Sequence, residues 1–104
     1  MAGEKNFEKR IKAAVTERGG WWCKYHGDAF STAGVPDLLC CVDGRFVGIE
    51  VKDDDGEPSE LQIWTIKQIR KAGGKAVILF PSAFSSFLKW MDSDFKAKKP
   101  IVMK

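Results

Sequence analysis

Asp37, Glu50 and Lys52 have the residue types and the spacing to hold a cation and act on an anion. Their relative positions follow from a turn. Asp43-Gly44 is a strong two-residue hairpin signal, because the favoured turn needs positive φ at both central residues. Val42 then pairs with Arg45, and counting outward sets Asp37 opposite Glu50 on one face of the hairpin. Directly opposed residues hold their Cβ atoms about 4.5–5.5 Å apart. Lys52, two residues beyond Glu50, points to the same face. Two carboxylates that close repel each other unless a positive charge compensates. Lys52 could be that charge, and Mg²⁺, which selects oxygen ligands, would serve better. The plainer alternative is a strand end whose charges meet water. The convergence of two acids and a lysine weighs against it.

Two further polar residues flank apolar stripes and could look into the same place. Glu8 lies beside the stripe of Phe7, Ile11, Ala14 and Val15, and also stands four residues from Lys12, so a surface ion pair competes with a site role. Gln62 lies on the line of Ile66 and Ile69, while Ser59-x-x-Gln62 also reads as a capping box. Asp53, Asp54 and Asp55 read as a solvated loop.

The elements that must position these residues can be read from periodicity. Residues 4–18 form an amphipathic helix stopped by Gly19-Gly20. Strands are expected over 21–25, 36–42 and 45–52, where Val47, Ile49 and Val51 give an apolar face opposite Glu50. Ser59 caps a helix running to about Ala72, Gly73-Gly74 ends it, and residues 75–80 form a fourth strand bounded by Pro81. A last helix begins near Ser82, with Phe84, Phe87, Leu88 and Met91 at helical spacing. The order α-β-β-β-α-β-α predicts a single α/β domain over 1–104. Its mixed four-stranded sheet has an antiparallel hairpin, a fourth strand parallel to a neighbour, and flanking helices. The core covers about 4–92. The tail, 93–104, carries Lys96, Lys98, Lys99 and Lys104 and reads as a frayed end in preference to a DNA-binding arm.

With 44% apolar and 30% charged residues, the composition is that of a globular domain rather than a disordered or membrane-embedded chain. The charged N-terminus is not followed by an apolar stretch, so no signal peptide is expected and a cytoplasmic location follows. Net charge +3 favours polyanions only weakly. Cys23, His26, Cys40 and Cys41 invite a zinc reading, but adjacent strand residues face opposite ways, so ordinary thiols are expected. Of the four tryptophans, Trp21 and Trp22 should split between core and interface. Trp64 sits off the buried helix line as a candidate dimer anchor, and Trp90 is a core aromatic.

The stretch GVPDLLCCVDGRFVGIEVK closely resembles the VRR-NUC family of the PD-(D/E)xK nuclease superfamily. Pro36-Asp37 and Glu50-Val51-Lys52 match its central pattern. HGDAFSTAG before it, DGEPSELQ after it and AGGKAVIL beyond extend the likeness over roughly residues 4–90. The short stand-alone members of phages and bacteria are the most similar. The resemblance implies Mg²⁺ (or Mn²⁺) held by Asp37, Glu50 and the Val51 main-chain carbonyl, and Lys52 acting on the attacking water or the developing charge. It also implies site roles for Glu8 and Gln62. The implied activity is structure-selective DNA cleavage, with Holliday-junction resolution by a homodimer as the foremost expectation. Flap or nicking cleavage, and a non-catalytic junction-binding module of the same fold, are the alternatives. No base-reading motif is present. Contacts to the DNA backbone are expected from Lys24, Tyr25, His26, Ser31 and Thr32 in and before the loop at 26–34.

Overall fold

The computed structural model describes residues 2–27 and 33–104. Helix α1 (Ala2–Glu17) leads into strands β1 (Trp21–Lys24), β2 (Leu38–Val42) and β3 (Arg45–Val51). Helix α2 (Glu60–Lys71), strand β4 (Lys75–Leu79), a 3-10 turn at Pro81–Ala83, helix α3 (Phe84–Asp92) and strand β5 (Val102–Met103) complete the chain. The sheet order is β1-β2-β3-β4-β5. β1, β2 and β3 are antiparallel neighbours, whereas β4 and β5 run parallel to β3 and to each other. The sheet is therefore mixed as expected, with one strand more than the sequence suggested.

The hairpin register is the one set by the turn. Val42 pairs with Arg45 and Leu38 with Ile49, around Asp43 and Gly44 at φ 51° and 77°. The core enforces that register. Leu38, Cys40, Val42, Val47, Ile49 and Val51 are buried beneath α1 and α3 with Phe7, Ile11, Val15, Phe87 and Met91. A slip of one residue would drive Glu50 into this layer and expel Ile49 from it. Each fully buried Ile or Val contributes roughly 1.5–3 kcal/mol, so the slip is strongly disfavoured. On the other face α2 packs on the β4 side, through Ile66 against Ala76, Ile78 and Phe80, and reaches β3 with Ile69 beside Gly48.

The tail is not frayed. Phe95 is buried, Val102 and Met103 pair with Ile78 and Leu79, and Ile78 N–H donates to Ile101 O at 2.8 Å. The signals for this were long-range: the Arg70 guanidinium donates to Lys99 O at 2.6 Å and Pro100 O at 3.0 Å. No local pattern in residues 93–104 reports on a partner some thirty residues earlier.

Candidate active site

Asp37 extends β2 by one residue. Its carbonyl accepts from Tyr25 N–H at 2.8 Å, and its carboxylate Oδ2 accepts from Val51 N–H at 2.8 Å. The side chain thus takes a backbone donor that lies beyond the last β2–β3 pair. This pins the carboxylate against the end of β3. The approach to Asp37 is tight. Gly34 has φ +82°, and a Cβ there would fall 2.8 Å from both Leu61 Cγ and Thr65 Oγ1. The segment can pass under α2 only with glycine at this position.

Glu50 is 5% exposed, a buried carboxyl among the apolar residues that follow Arg45 in β3. Gln62 Nε2 donates to its Oε2 at 2.9 Å, and Lys52 Nζ lies 3.8 Å from the same oxygen. Burial first, and then the neighbouring Asp37 carboxylate, push the Glu50 carboxyl up to about 8, against a weaker opposing pull from Lys52. Gln62 fills both roles that the sequence left open. Its Oε1 accepts from Ser59 N–H at 2.9 Å, and its own N–H donates to Ser59 Oγ at 3.1 Å, which closes the capping box. With Oε1 occupied in that way, Nε2 is the end left to face Glu50.

Glu8 reaches the cluster through a lysine. Lys24 Nζ lies 2.6 Å from Glu8 Oε1 and 3.8 Å from Asp37 Oδ1, and Lys12 Nζ lies 3.1 Å from Glu8 Oε2. Burial raises the Glu8 carboxyl, but the hydrogen bonds from Lys24 and Lys12 outweigh it and leave the group below its ordinary value. The surface pair with Lys12 and the inward role therefore coexist. The place of Lys24 between Glu8 and Asp37 was missed by sequence reasoning. It depends on the β1–β2 register, Lys24 opposite Leu38, and a long connection separates those strands. His26 is exposed. Ser31 and Thr32 lie outside the described residues.

Among the described residues no group of three or more His, Cys, Asp or Glu side chains could hold a metal ion by itself. Cys23 and Cys41 are exposed and Cys40 is buried, with burial pushing its thiol up to about 12. The donors at the carboxylate cluster do fit a hard divalent cation. Two carboxylates stand together, one is buried, and the nearest lysine does not contact it directly at 3.8 Å. Asp37, Glu50 and the Val51 carbonyl would hold such an ion, with water completing the shell.

No protein-family model and no curated protein matches the chain. A solved structure described as a VRR_NUC domain does match, at 26% identity over 86% of this chain and 95% of that one, with a TM-score of 0.69. This is a VRR-NUC fold. The chain accordingly has a nuclease fold. In this fold the carboxylate cluster sits at the C-terminal ends of β1 and β3 and at the first turn of α2. No described helix is long and apolar enough to cross a membrane.

Proposed function

We propose that this VRR-NUC domain is a metal-dependent, structure-selective DNA endonuclease that resolves Holliday junctions as a homodimer, in the cytoplasm of a bacterial or phage-infected cell. The observation that carries this reading is the convergence of Asp37, Glu50, Lys52 and Gln62, with Asp37 tied to Val51 N–H, Glu50 tied to Gln62, and Lys52 Nζ 3.8 Å from Glu50. Bound Mg²⁺ (or Mn²⁺) would supply charge neutralisation at the phosphate and a lowered pKa for water.

The chain's own residues do the rest. Asp37, tied to Val51 N–H, and Glu50, tied to Gln62, present preset oxygen donors. Preset donors need no reorganisation when substrate arrives. Lys52, whose side chain is 15% exposed, sets Nζ in a poorly solvated place beside Glu50, where it stabilises charge developing on a phosphate oxygen. Glu8 holds Lys24 against Asp37 and so screens the two acids from each other. Tyr25, His26, Ser31 and Thr32 are assigned to the DNA backbone. Lys24 supports that edge from the site side.

The homodimer is supported by large apolar side chains at the surface. Trp21, Phe46, Leu61 and Trp64 are 62%, 42%, 45% and 58% exposed. Trp21 and Phe46 flank Cys41 on the part of the sheet that α2 leaves open. A two-fold dimer would offer two sites to the symmetric strands of a junction.

The test is gel cleavage of a four-way junction, a flap, a nicked duplex and plain duplex, with Mg²⁺, Mn²⁺ or EDTA. Paired symmetric cuts in the junction, lost in EDTA, are expected. Cutting of other substrates alone would remove the resolvase and keep the nuclease. No metal-dependent cutting would remove both. Light scattering that showed a monomer at high micromolar concentration would remove the dimer.

A further inference from the structure

The C-terminal segment is held as firmly as the sheet it borders. Arg70, in the last turn of α2, donates to Ala76 O at 2.8 Å as well as to Lys99 O and Pro100 O, so its donors are engaged with backbone. Trp90 Nε1 donates to Ala97 O at 2.7 Å, and Phe95 packs edge-on against Trp90 with ring centroids 4.9 Å apart. Between these anchors and the start of β4 lies a cleft of about 330 Å³, lined by Lys75, Lys96, Lys98, Lys99 and Arg70 and by no carboxylate. The acids nearest in sequence are already engaged: Asp92 with Arg18 at 2.7 Å and Asp94 with Arg45 at 3.4 Å. Among the described residues none of those four lysines forms an ion pair.

We propose that this lysine cleft is a second contact for the phosphate backbone of duplex nucleic acid, separate from the carboxylate cluster. Clustered cations without counterions repel one another, and a row of phosphates relieves that repulsion while releasing its own condensed ions. The ligand is a backbone, not a base. Trp90 and Phe95 are only 4% and 3% exposed and the indole N–H is committed, so the cleft has no stacking platform for a single strand. Lysine contacts to phosphate position a duplex without reading its sequence. The cleft is also remote from the site. Lys75 lies opposite Val47, three strand residues before the Ile78–Glu50 pair, about 10 Å along the sheet. About 10 Å is roughly three base-pair steps of 3.4 Å, so one duplex can touch both places. Only the statement that the bound duplex is a substrate rests on the proposed nuclease function.

The experiment is fluorescence anisotropy of labelled 30-base-pair and 8-base-pair duplexes and a 30-nucleotide single strand, in EDTA, across a salt series. It compares the wild-type chain with the triple variants Lys96→Ala/Lys98→Ala/Lys99→Ala and Lys96→Arg/Lys98→Arg/Lys99→Arg. The alanine variant should bind the 30-mer duplex about tenfold more weakly, with a salt slope shallower by about 2–3, from roughly 0.9 per lost phosphate contact. The 8-mer should weaken as well, the single strand should change less than twofold, and the arginine variant should match wild type. With Mg²⁺, KM for long substrate should rise while kcat holds. Unchanged affinity and slope on the duplexes would overturn the proposal, and so would an equal loss on the single strand. If the wild type cuts nothing yet the loss of duplex binding persists, the nuclease reading falls and the cleft stands. If cutting persists without that loss, the cleft falls and the nuclease stands.

Discussion

The two ends of the sheet carry charge in opposite ways. At the ends of β1 and β3 the ionisable groups are largely withdrawn from water and tied: Glu50 by Gln62, Asp37 by Val51 N–H, Glu8 by two lysines. At the start of β4 the backbone of the tail is tied by Arg70 and Trp90, and Lys96 and Lys98 are exposed. One end fixes its charged atoms, whereas the other fixes only the chain from which charges extend. Chemistry at a phosphorus atom requires positions held to fractions of an ångström. Attraction of a polyanion requires only potential. The contrast predicts that substitutions at the first end act on rate, and at the second on salt-dependent affinity.

The largest effect should come from Asp37→Ala. It removes a proposed metal ligand and frees Val51 N–H, and cleavage should fall by about 10³-fold or more, the scale on which preorganised electrostatic groups act. Binding of a long duplex in EDTA should survive. Residual cutting near the wild-type rate would show that the tied end is not where the chemistry occurs.

Next in size is a pH effect. The Glu50 carboxyl stands at about 8 in the folded chain, against an ordinary 4.5. The folded state therefore holds this proton more tightly than the unfolded state. The contribution of Glu50 to stability is greatest below about 4.5 and is lost as pH rises toward 8. A bound Mg²⁺ must displace the proton, so its affinity should climb about tenfold per pH unit from 6 toward 8 and then level off. Calorimetric titration checks the slope. Glu50→Gln should remove the rise of metal affinity with pH and the Glu50 share of the pH dependence of stability. A flat profile in the wild type would place the Glu50 proton outside the metal equilibrium.

Arg70→Ala tests whether the second end is ordered as described. Three carbonyls would lose their donor, at a cost of about 1–3 kcal/mol, or a melting temperature lower by roughly 5–15 °C. Catalytic rate on a short duplex should be almost unchanged. A stability unchanged within error would mean that β5 and the buried Phe95 hold the tail without Arg70.

The same two ends differ in how far the sequence disclosed them. Asp37, Glu50 and Lys52 were placed on one face by an Asp-Gly turn and strand alternation, both local rules. The observed register, with Val42 opposite Arg45, follows them. The capping role of Gln62 was equally local, and its contact with Glu50 needed α2 to pack beside β3. Lys24 against Glu8 depends on two strands joined by a long connection, and β5 depends on Arg70 reaching residues 99 and 100. A two-residue strand has no periodicity to detect, so the tail looked like a solvated lysine run. Rules of short range read the proposed chemical end, and packing of long range made the other.

The smallest effect is the sharpest discriminator between the ends. Lysine and arginine carry the same charge but differ in shape, the one a point donor and the other a planar fork. Lys98, exposed on the tail, should accept arginine with affinity and rate within twofold, because a phosphate contact there asks only for charge. Lys52 should not accept it. Its side chain is 15% exposed and lies 3.8 Å from Glu50 Oε2. Its stem passes close to Gly56, where a Cβ would sit 3.1 Å from Lys52 Cδ. A guanidinium in that space would displace either the Glu50 carboxylate or the 53–58 loop, and cutting should drop by about tenfold or more. Single-turnover rates for Lys52→Arg and Lys98→Arg, measured on one substrate, make the comparison. Equal tolerance at both positions would mean that the lysine beside Glu50 acts as potential alone, and the distinction between a positioned end and an attracting end would collapse.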